Sequence, residues 1–453
     1  MRDLTLAAIF AVLVPLCVAY PWIGVLTWTW VGMMNPHRYA WGWFYDFPIA
    51  QVVAIATLTG LLITKDRKPL IWTREMVLIA LLFAYFTFTT FFAWAPAAAW
   101  DLWEKVGKIL LMVFVVPLVI YSEKRIRWLL LVAALSIGFF GIKGGIFTIM
   151  TGGTNTVLGP RGATFISTNT AIGLAFLMVL PLLIMLARTE VRPWFRRFLY
   201  GSAFLTLICI PVTYSRGALV GLLVVAPLLF LRSRAKFLLI LLALPLAYFG
   251  QDLIPERLAK RSATLQAYEE DESANLRFQS WGVNFNIAKE RPFVGGGFNL
   301  EHASDARWLS YADFLVRDGD PAVNYARAAH SSYFQILGSH GFLALGMYLL
   351  LLVFLMARLQ SLVRQAAKVP GGKNLSAYAA GIQLAIVGYC VSGAFINAAY
   401  FDLFYLYVVV TAVMWREFKW LTSEQSDAEG PVARRGLQMG GAPAANASGT
   451  SLA

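Results

Sequence analysis

The sequence predicts an all-α, polytopic membrane protein of about twelve transmembrane helices with a partly helical external cap. Of its 453 residues, 58% are hydrophobic and 14% are charged, and the mean hydropathy is +0.63. A soluble globular domain is typically about 45–50% apolar and about 25% charged. Apolar runs also recur along the chain, and basic residues concentrate in the breaks between them. The chain therefore has too little polar surface for a water-soluble body of this size.

The apolar runs have the length of membrane-spanning helices, since most contain about 17–25 residues. The first run exceeds one straight helix, and Pro15 and Pro21 predict a kink or a split. Counting it as one net crossing gives twelve crossings. The predicted spans are 4–34, 48–64, 75–94, 104–121, 126–149, 166–187, 198–213, 215–231, 235–250, 331–357, 376–397 and 399–418.

Basic residues predict the sidedness of these spans, because cytoplasmic loops are enriched in Lys and Arg. The basic breaks all fall on one side of a twelve-span chain, with both termini on that side as well. They are Lys65–Arg74, Lys124–Arg127, Arg188–Arg197, Arg232–Lys236, Arg358–Lys373, Arg2 and the tail residues Arg416, Lys419, Arg434 and Arg435. The net charge of +13 therefore reflects orientation and does not predict a nucleic-acid partner. If residues 4–34 crossed the membrane twice, every later loop would change sides relative to the amino terminus.

Four segments follow from these spans. Residues 1–250 hold transmembrane helices 1–9, and 251–330 form an external cap that is too polar for lipid, with 9 basic and 12 acidic residues. Within the cap, 275–290 has a helical pattern. Residues 331–420 hold helices 10–12, and the Ser-, Gly-, Ala- and Pro-rich tail 421–453 is predicted to be disordered and cytoplasmic.

Two arginines in short external turns are candidates for binding an anion. Arg161 lies in a Gly-rich loop between two spans, and Arg216 lies in the turn Tyr214-Ser215-Arg216-Gly217. A guanidinium binds phosphate or pyrophosphate through two parallel hydrogen bonds, which a lysine cannot reproduce. The alternative for Arg216 is a side chain that snorkels to lipid headgroups.

The external segment contributes a further cation and a candidate base. Arg277 lies in the helical stretch of the cap, where a simple surface charge is an equally good interpretation. His330 lies where the cap re-enters the membrane, at the start of the tenth span. The positive end of that helix disfavours imidazolium, and a neutral imidazole is a suitable general base. The alternative is a capping or hydrogen-bonded structural histidine.

Other classes of site find no support in the sequence. Cys17, Cys209 and Cys390 are isolated in apolar runs, and the four histidines lack the spacing of zinc ligands. No P-loop is present. We therefore expect no metal and no cofactor.

Taken together, these motifs resemble the O-antigen ligase superfamily over nearly the whole chain. A large external segment precedes the last three spans, Ser-Arg-Gly occupies an external turn, and His330-Ser331 is followed by Gly338, Gly341 and Gly346. The Arg-Pro-x-x-Gly-x-Gly element is present at 291–297. Ser331 replaces the commoner Asn of the family. The stretch Met33–Arg38 is similar to that of exosortase-associated O-glycosylation ligases.

The resemblance implies a lipid-linked glycosyltransferase of the C-type architecture in the bacterial inner membrane, acting on the periplasmic face without metal or ATP. It would transfer a polysaccharide from undecaprenyl pyrophosphate to a sugar hydroxyl of lipid A-core, with inversion. In this scheme His330 is the base, and Arg216 and Arg161 stabilise the pyrophosphate. The residues assigned to substrate binding are Arg277, Arg291, Tyr214 and Ser331.

Three alternatives stay open. An O-antigen polymerase or a protein O-oligosaccharyltransferase would use the same donor and base. A lipid-linked glycan flippase would instead require charged residues along a midplane path, and the midspan regions are nearly uncharged, with Lys143 as the exception.

Overall fold

The computed structural model describes residues 1–160, 162, 164–232 and 272–428. Arg161, the predicted span 235–250 and the tail beyond 428 lie outside the described residues. The described residues form fourteen α-helices and contain no strand. In chain order they are α1 (Arg2–Ala19), α2 (Pro21–Met34), α3 (Ile49–Ile63), α4 (Arg74–Thr90), α5 (Pro96–Val119), α6 (Glu123–Thr151), α7 (Asn169–Thr189), α8 (Pro193–Val212), α9 (Arg216–Leu231), α10 (Glu272–Glu290), α11 (Asp305–Leu309), α12 (Ser332–Gln365), α13 (Lys373–Ser392) and α14 (Asp402–Ala428).

Several helices are long and apolar enough to cross a membrane. Six of those described meet both criteria: Arg2–Ala19, Glu123–Thr151, Asn169–Thr189, Pro193–Val212, Ser332–Lys368 and Lys373–Phe395. Two shorter apolar helices are α3 and α9. The prediction of an all-helical, polytopic membrane protein is confirmed in these terms. One boundary was wrong, because α14 continues to Ala428, well into the tail predicted to be disordered from 421.

Local chemistry sets where the helices begin. Five side-chain hydroxyls among the described residues each accept a hydrogen bond from the backbone N–H three residues later, which satisfies a donor that the first helical turn leaves open. These capping residues are Thr73, Ser122, Thr168, Ser215 and Ser304. Proline, which needs no N–H partner, occupies the first position of α2, α5 and α8.

The first apolar run, 4–34, is two antiparallel helices and not one net crossing. The Asp3 carboxylate accepts hydrogen bonds from the N–H groups of Gly42 and Phe44, at 3.0 and 3.1 Å. At the other end of α1, the Val18 carbonyl packs against Gly60 near the end of α3. The chain therefore reverses at Tyr20, where the backbone leaves the helix before Pro21. Residue 1 and the 35–47 loop lie at the same end of the bundle, so the prediction of one net crossing was wrong.

Within the described residues, the predicted basic breaks apart from Arg2 gather at one end of the bundle, here named the basic end. Arg125 forms an ion pair with Asp66 at 2.6 Å, and Arg127 pairs with Glu190. Other bonds at this end are Arg358 Nε to Glu75 at 2.7 Å, Arg416 Nη2 to the Ile120 carbonyl at 2.9 Å, and Arg232 Nη2 to Gln383 at 2.6 Å. Arg2 instead lies at the opposite end, with its guanidinium 4.1 Å from the Trp41 ring centroid.

Helix α7 lies at the centre of the bundle and packs against α6, α8, α9 and α13. Close approach depends on small residues, since a Cβ at Gly381 would lie 3.2 Å from the Cα of Leu182. A Cβ at Gly221 would lie 2.4 Å from a Leu177 methyl. Small residues at such crossings let apolar helices pack closely in a membrane.

Helix α12 is broken near its start, and the loop 291–297 fills the break. Gly341 has φ 78° and ψ −175°, which is not helical. The N–H groups of Gly296 and Gly297 donate to the carbonyls of Gly338 and Ser339, both at 2.8 Å, and the Phe342 N–H donates to the Pro292 carbonyl at 2.9 Å. The loop thus satisfies backbone groups that the break releases, and it fixes α10 against α12.

Candidate functional site

Arg216 is the first residue of α9, at the end of the bundle opposite the basic end. The preceding Tyr214 has a positive φ of 51°, and its hydroxyl donates to the Gly153 carbonyl at 2.6 Å. Ser215 caps the helix through Ala218 N at 3.2 Å. Arg216 is half-buried. A guanidinium beside the positive end of a 16-residue helix favours an anion at this position.

The loop that leads to Arg161 is fastened to the same turn. Besides the Tyr214–Gly153 bond, the Val157 N–H donates to the Val212 carbonyl at 3.1 Å. Asn169, just after the loop, donates to the Thr213 carbonyl at 3.0 Å. Arg161 itself lies outside the described residues, so its predicted role stays a prediction.

His330 immediately precedes the cap of α12. Its φ of 47° is in the left-handed region, which costs a non-glycine residue energy and recurs at functional sites. The surrounding bonds hold this conformation: the Ser331 N–H donates to Asn397 Oδ1 at 3.2 Å, and Ser280 Oγ donates to the Ala328 carbonyl at 3.0 Å. Ser331 is buried and His330 is exposed. The imidazole is thus presented outward from a fixed backbone.

The surroundings of His330 favour the neutral imidazole. Desolvation by nearby protein atoms lowers its pKa below the ordinary value, although part of the residue is exposed, and the positive charges of Arg277 and Arg327 lower it further. The sequence predicted this direction from the helix dipole. Neighbouring cations, of which Arg327 was not predicted, contribute to it as well. A neutral ring near pH 7 has a nitrogen available to accept a proton.

A single short connection, residues 392–398, joins the positions of Arg216 and His330. Ser392 Oγ donates to the Gly217 carbonyl at 2.8 Å, next to Arg216. On the other side, Ser332 Oγ donates to the Ile396 carbonyl at 3.0 Å and accepts from the Ala398 N–H at 3.1 Å. The first turns of α9 and α12 therefore flank one segment of backbone.

Aromatic side chains lie between the same two helix starts, and the sequence analysis missed them. Trp281 stacks on Phe334 with ring centroids 5.3 Å apart and an interplanar angle of 9°. It also lies 6.5 Å from Phe395, which packs against Gly217. Trp281 follows Arg277 by four residues on α10, and residues spaced by four share a helix face. That spacing was the available signal.

The other predicted binding residues separate into two groups. Arg277 is half-buried on α10 and close enough to His330 to lower its pKa. Arg291 does not belong to this group, because its Nη2 donates to the Phe92 carbonyl at 2.9 Å and its guanidinium lies 5.9 Å from the Trp94 ring. That position fastens the 291–297 loop to the α4–α5 connection.

Most glycines of the two motifs that carry the resemblance allow the close backbone packing that supports the site. A Cβ at Gly295 would lie 2.5 Å from the Gly338 carbonyl oxygen, and one at Gly341 would lie 2.2 Å from the Pro292 oxygen. Glycine is needed at both positions, where φ is also positive. Gly346 differs, because nothing lies within 4 Å of a Cβ built there.

Comparison with known families divides the chain in two. Residues 1–191 match the model of a family of unknown function, DUF5935. Residues 201–349 match the model described as O-antigen ligase, and this match includes Arg216, the 291–297 loop and His330. No curated protein matches the chain. The second match confirms the resemblance seen in the sequence, and the chain is a polytopic membrane protein that carries an O-antigen ligase family domain at residues 201–349.

Proposed function

We propose that this protein is an O-antigen ligase that transfers a glycan from undecaprenyl pyrophosphate to a sugar hydroxyl of lipid A-core. The observation that carries the proposal is the shared connection 392–398, which contacts both the helix start that holds Arg216 and the helix start that follows His330. An anion site next to a neutral imidazole is the arrangement that glycosyl transfer from a pyrophosphate donor requires.

In the proposed reaction Arg216 binds the pyrophosphate and stabilises the negative charge that grows as the leaving group departs. The positive end of α9 acts in the same direction. Arg277, four residues before Trp281 on α10 and near His330, either completes the anion site or positions the acceptor. Arg161 is proposed as a second pyrophosphate ligand, on the strength of the loop that precedes it.

His330 is proposed as the general base. Its neutral imidazole takes the proton of the acceptor hydroxyl while the hydroxyl oxygen attacks the anomeric carbon of the donor. The bond from that carbon to the pyrophosphate oxygen breaks, and its electron pair leaves with the pyrophosphate. Attack opposite the leaving group inverts the anomeric centre. Trp281 and Phe334 present an apolar wall to the glycan between base and anion site.

We infer the orientation from the distribution of charge. The basic end would face the cytoplasm by the positive-inside rule, which places Arg216 and His330 on the periplasmic face of the inner membrane. With the α1–α2 hairpin as two crossings and the predicted span 235–250 as one, the count becomes odd. Cysteine labelling from outside intact spheroplasts tests this, since a cysteine replacing exposed Ala306 should react and one replacing exposed Lys368 should not.

The central test is reconstitution in liposomes with an undecaprenyl-pyrophosphate glycan and lipid A-core. His330→Ala should lower the rate by about 10²–10⁴-fold, the usual contribution of general base catalysis. His302→Ala is the matched control, because His302 is an exposed histidine on the same segment and should leave the rate unchanged. Full activity in the His330→Ala protein would refute the base assignment.

A second variant tests the pyrophosphate contact. Arg216→Lys keeps the charge but loses the two-pronged geometry, so the rate should fall markedly. Near-normal turnover of Arg216→Lys would contradict bidentate binding of the pyrophosphate. It would favour an Arg216 side chain that snorkels to the lipid headgroups.

The product distinguishes the remaining alternatives. A lengthened free glycan would identify a polymerase, and a glycosylated protein would identify an O-oligosaccharyltransferase. Transbilayer movement of the donor without any new glycosidic bond would identify a flippase. The same assay with a chelator tests the proposal that the reaction needs no metal, and complete loss of activity would overturn it.

A further inference from the structure

An open groove of about 740 Å³ lies outside the site described above. Its walls are the 35–47 loop, the last turns of α6 and residues 156–160. All of these residues fall within the part of the chain that matches a family of unknown function. Its volume is in the range of ligand sites, about 300–1,000 Å³.

Two cations lie in a groove that is otherwise apolar and aromatic. Arg38 and Lys143 are the charged members of the described lining, and no acidic residue is among them. Lys143 lies eight residues before the end of α6, about 12 Å from that end at the helical rise. A lysine so far inside a membrane-spanning helix is costly unless a partner offsets its charge.

The described residues offset the positive charges of Lys143 and Arg38 only in part. Lys143 Nζ lies 5.7 Å from the Tyr39 ring centroid, and within the described chain no carboxylate pairs with it. Arg38 pairs with Asp46 at 3.0 Å, but the Asp46 side chain is 84% exposed and such pairs contribute little. Arg38 Nε is buried and has no hydrogen-bond partner among the described residues.

The apolar walls fit a hydrocarbon chain. Phe147 and Met150 line the groove and are 42% and 79% exposed. Both follow Lys143 on α6 and lie nearer the end of the helix, beside the headgroup and the first part of a chain, whereas Phe140 lines the groove on the midplane side of Lys143. A ligand that joins an anionic head to an apolar chain would therefore match both parts of the groove.

We propose that this groove binds a membrane lipid through its phosphate headgroup, with Arg38 and Lys143 on the phosphate and the α6 surface against the chain. The proposal does not depend on the glycosyl transfer reaction. The wall residue Val157 is hydrogen-bonded to Val212, so a bound lipid would lie against the loop that leads to Arg161.

Native mass spectrometry of the purified full-length protein tests the proposal, with phosphatidylglycerol and phosphatidylcholine of equal chain length as probes. Wild-type protein should bind phosphatidylglycerol at least tenfold more tightly. The double variant Arg38→Gln, Lys143→Gln should lose that preference. Lys108→Gln is the matched control, because Lys108 is exposed on α5 and pairs with Glu104, and it should bind as wild type does.

Three outcomes would overturn the proposal. These are equal binding of the two lipids, retained preference in the double variant, and displacement of the lipid by millimolar inorganic phosphate, which would indicate a site for free anions. If the double variant does not fold, Lys143→Gln alone provides the test, because within the described chain the ammonium of Lys143 makes its charge contact with the Tyr39 ring and forms no ion pair. A photoreactive phosphatidylglycerol should label peptides within 38–45 and 140–160, and labelling elsewhere would place the lipid at another site.

Discussion

Replacing Gly341 by alanine should destabilise the protein strongly. The backbone at Gly341, with φ 78° and ψ −175°, is nearly inaccessible to alanine and would cost about 1–3 kcal/mol. The new Cβ would also lie 2.2 Å from the Pro292 oxygen. Displacing the loop weakens three backbone hydrogen bonds, each contributing about 0.5–1.5 kcal/mol. The expected loss of unfolding free energy is about 3–7 kcal/mol.

Gly346→Ala is the matched control, because the same motif and helix contain it and nothing lies within 4 Å of its Cβ. It should leave stability unchanged or raise it by up to about 1 kcal/mol, since alanine favours helix over glycine. The two variants can be compared by thermal unfolding in detergent. Amide hydrogen exchange at Gly296 and Gly297 should accelerate in Gly341→Ala alone. Equal melting temperatures of the two variants, with slow amide exchange at Gly296 and Gly297 in both, would refute the role given to Gly341 in the broken helix.

Three further predictions concern the site and the basic end. As the pH is lowered, the kcat/KM of transfer should fall only at a pH below the ordinary histidine pKa, because the neutral His330 is the active form and its pKa is lowered. Arg327→Gln removes a positive charge near His330, so the pH at which kcat/KM begins to fall should rise. Trp281→Ala should reduce kcat/KM for the acceptor about tenfold, which corresponds to about 1.4 kcal/mol of lost contact. Arg358→Ala should cost about 3–5 kcal/mol of stability, because it leaves the buried Glu75 without its partner.

The Trp281 and Arg358 predictions each have a control on the same helix or at the same end of the bundle. Phe285→Ala removes an exposed aromatic residue from the same helix as Trp281 and should not alter kcat/KM. Arg125→Ala leaves Asp66, which is half exposed, and should cost at most about 1 kcal/mol. An acid limb at or above the ordinary histidine pKa, or equal melting of the Arg358 and Arg125 variants, would contradict the corresponding reasoning.

The sequence predicted the helices well because span length and hydrophobicity are local properties. The predicted span 166–187 became Asn169–Thr189, and 126–149 became Glu123–Thr151. The prediction from sequence failed for residues 4–34, because the hydrophobicity of a run does not show whether the chain reverses direction within it. The reversal at Tyr20 depends on contacts with α3 and with the 42–44 loop.

For the candidate site, residue type and position in the turn singled out Arg216 and His330, whose roles stay predictions. The contact of both helix starts with one connection, residues 392–398, was not predictable, because that connection lies more than 60 residues from His330 in sequence. Arg291 was selected by its motif, yet it binds a backbone carbonyl of the α4–α5 connection. Trp281 was missed because an aromatic residue on an amphipathic helix is normally read as part of a core.

The broken helix has a consequence for biosynthesis, since a ribosome delivers a chain in order. The loop 291–297, Asn284 and Thr89, which between them cover the break and His340, all precede α12 in the sequence. Domains fold from the amino terminus during synthesis, so the residues that contact the irregular turn have been synthesised before the turn itself leaves the ribosome. The backbone that the break in α12 releases can therefore be covered as it emerges, and Tyr400, which bonds His340 Nε2 at 3.0 Å, follows later in the chain.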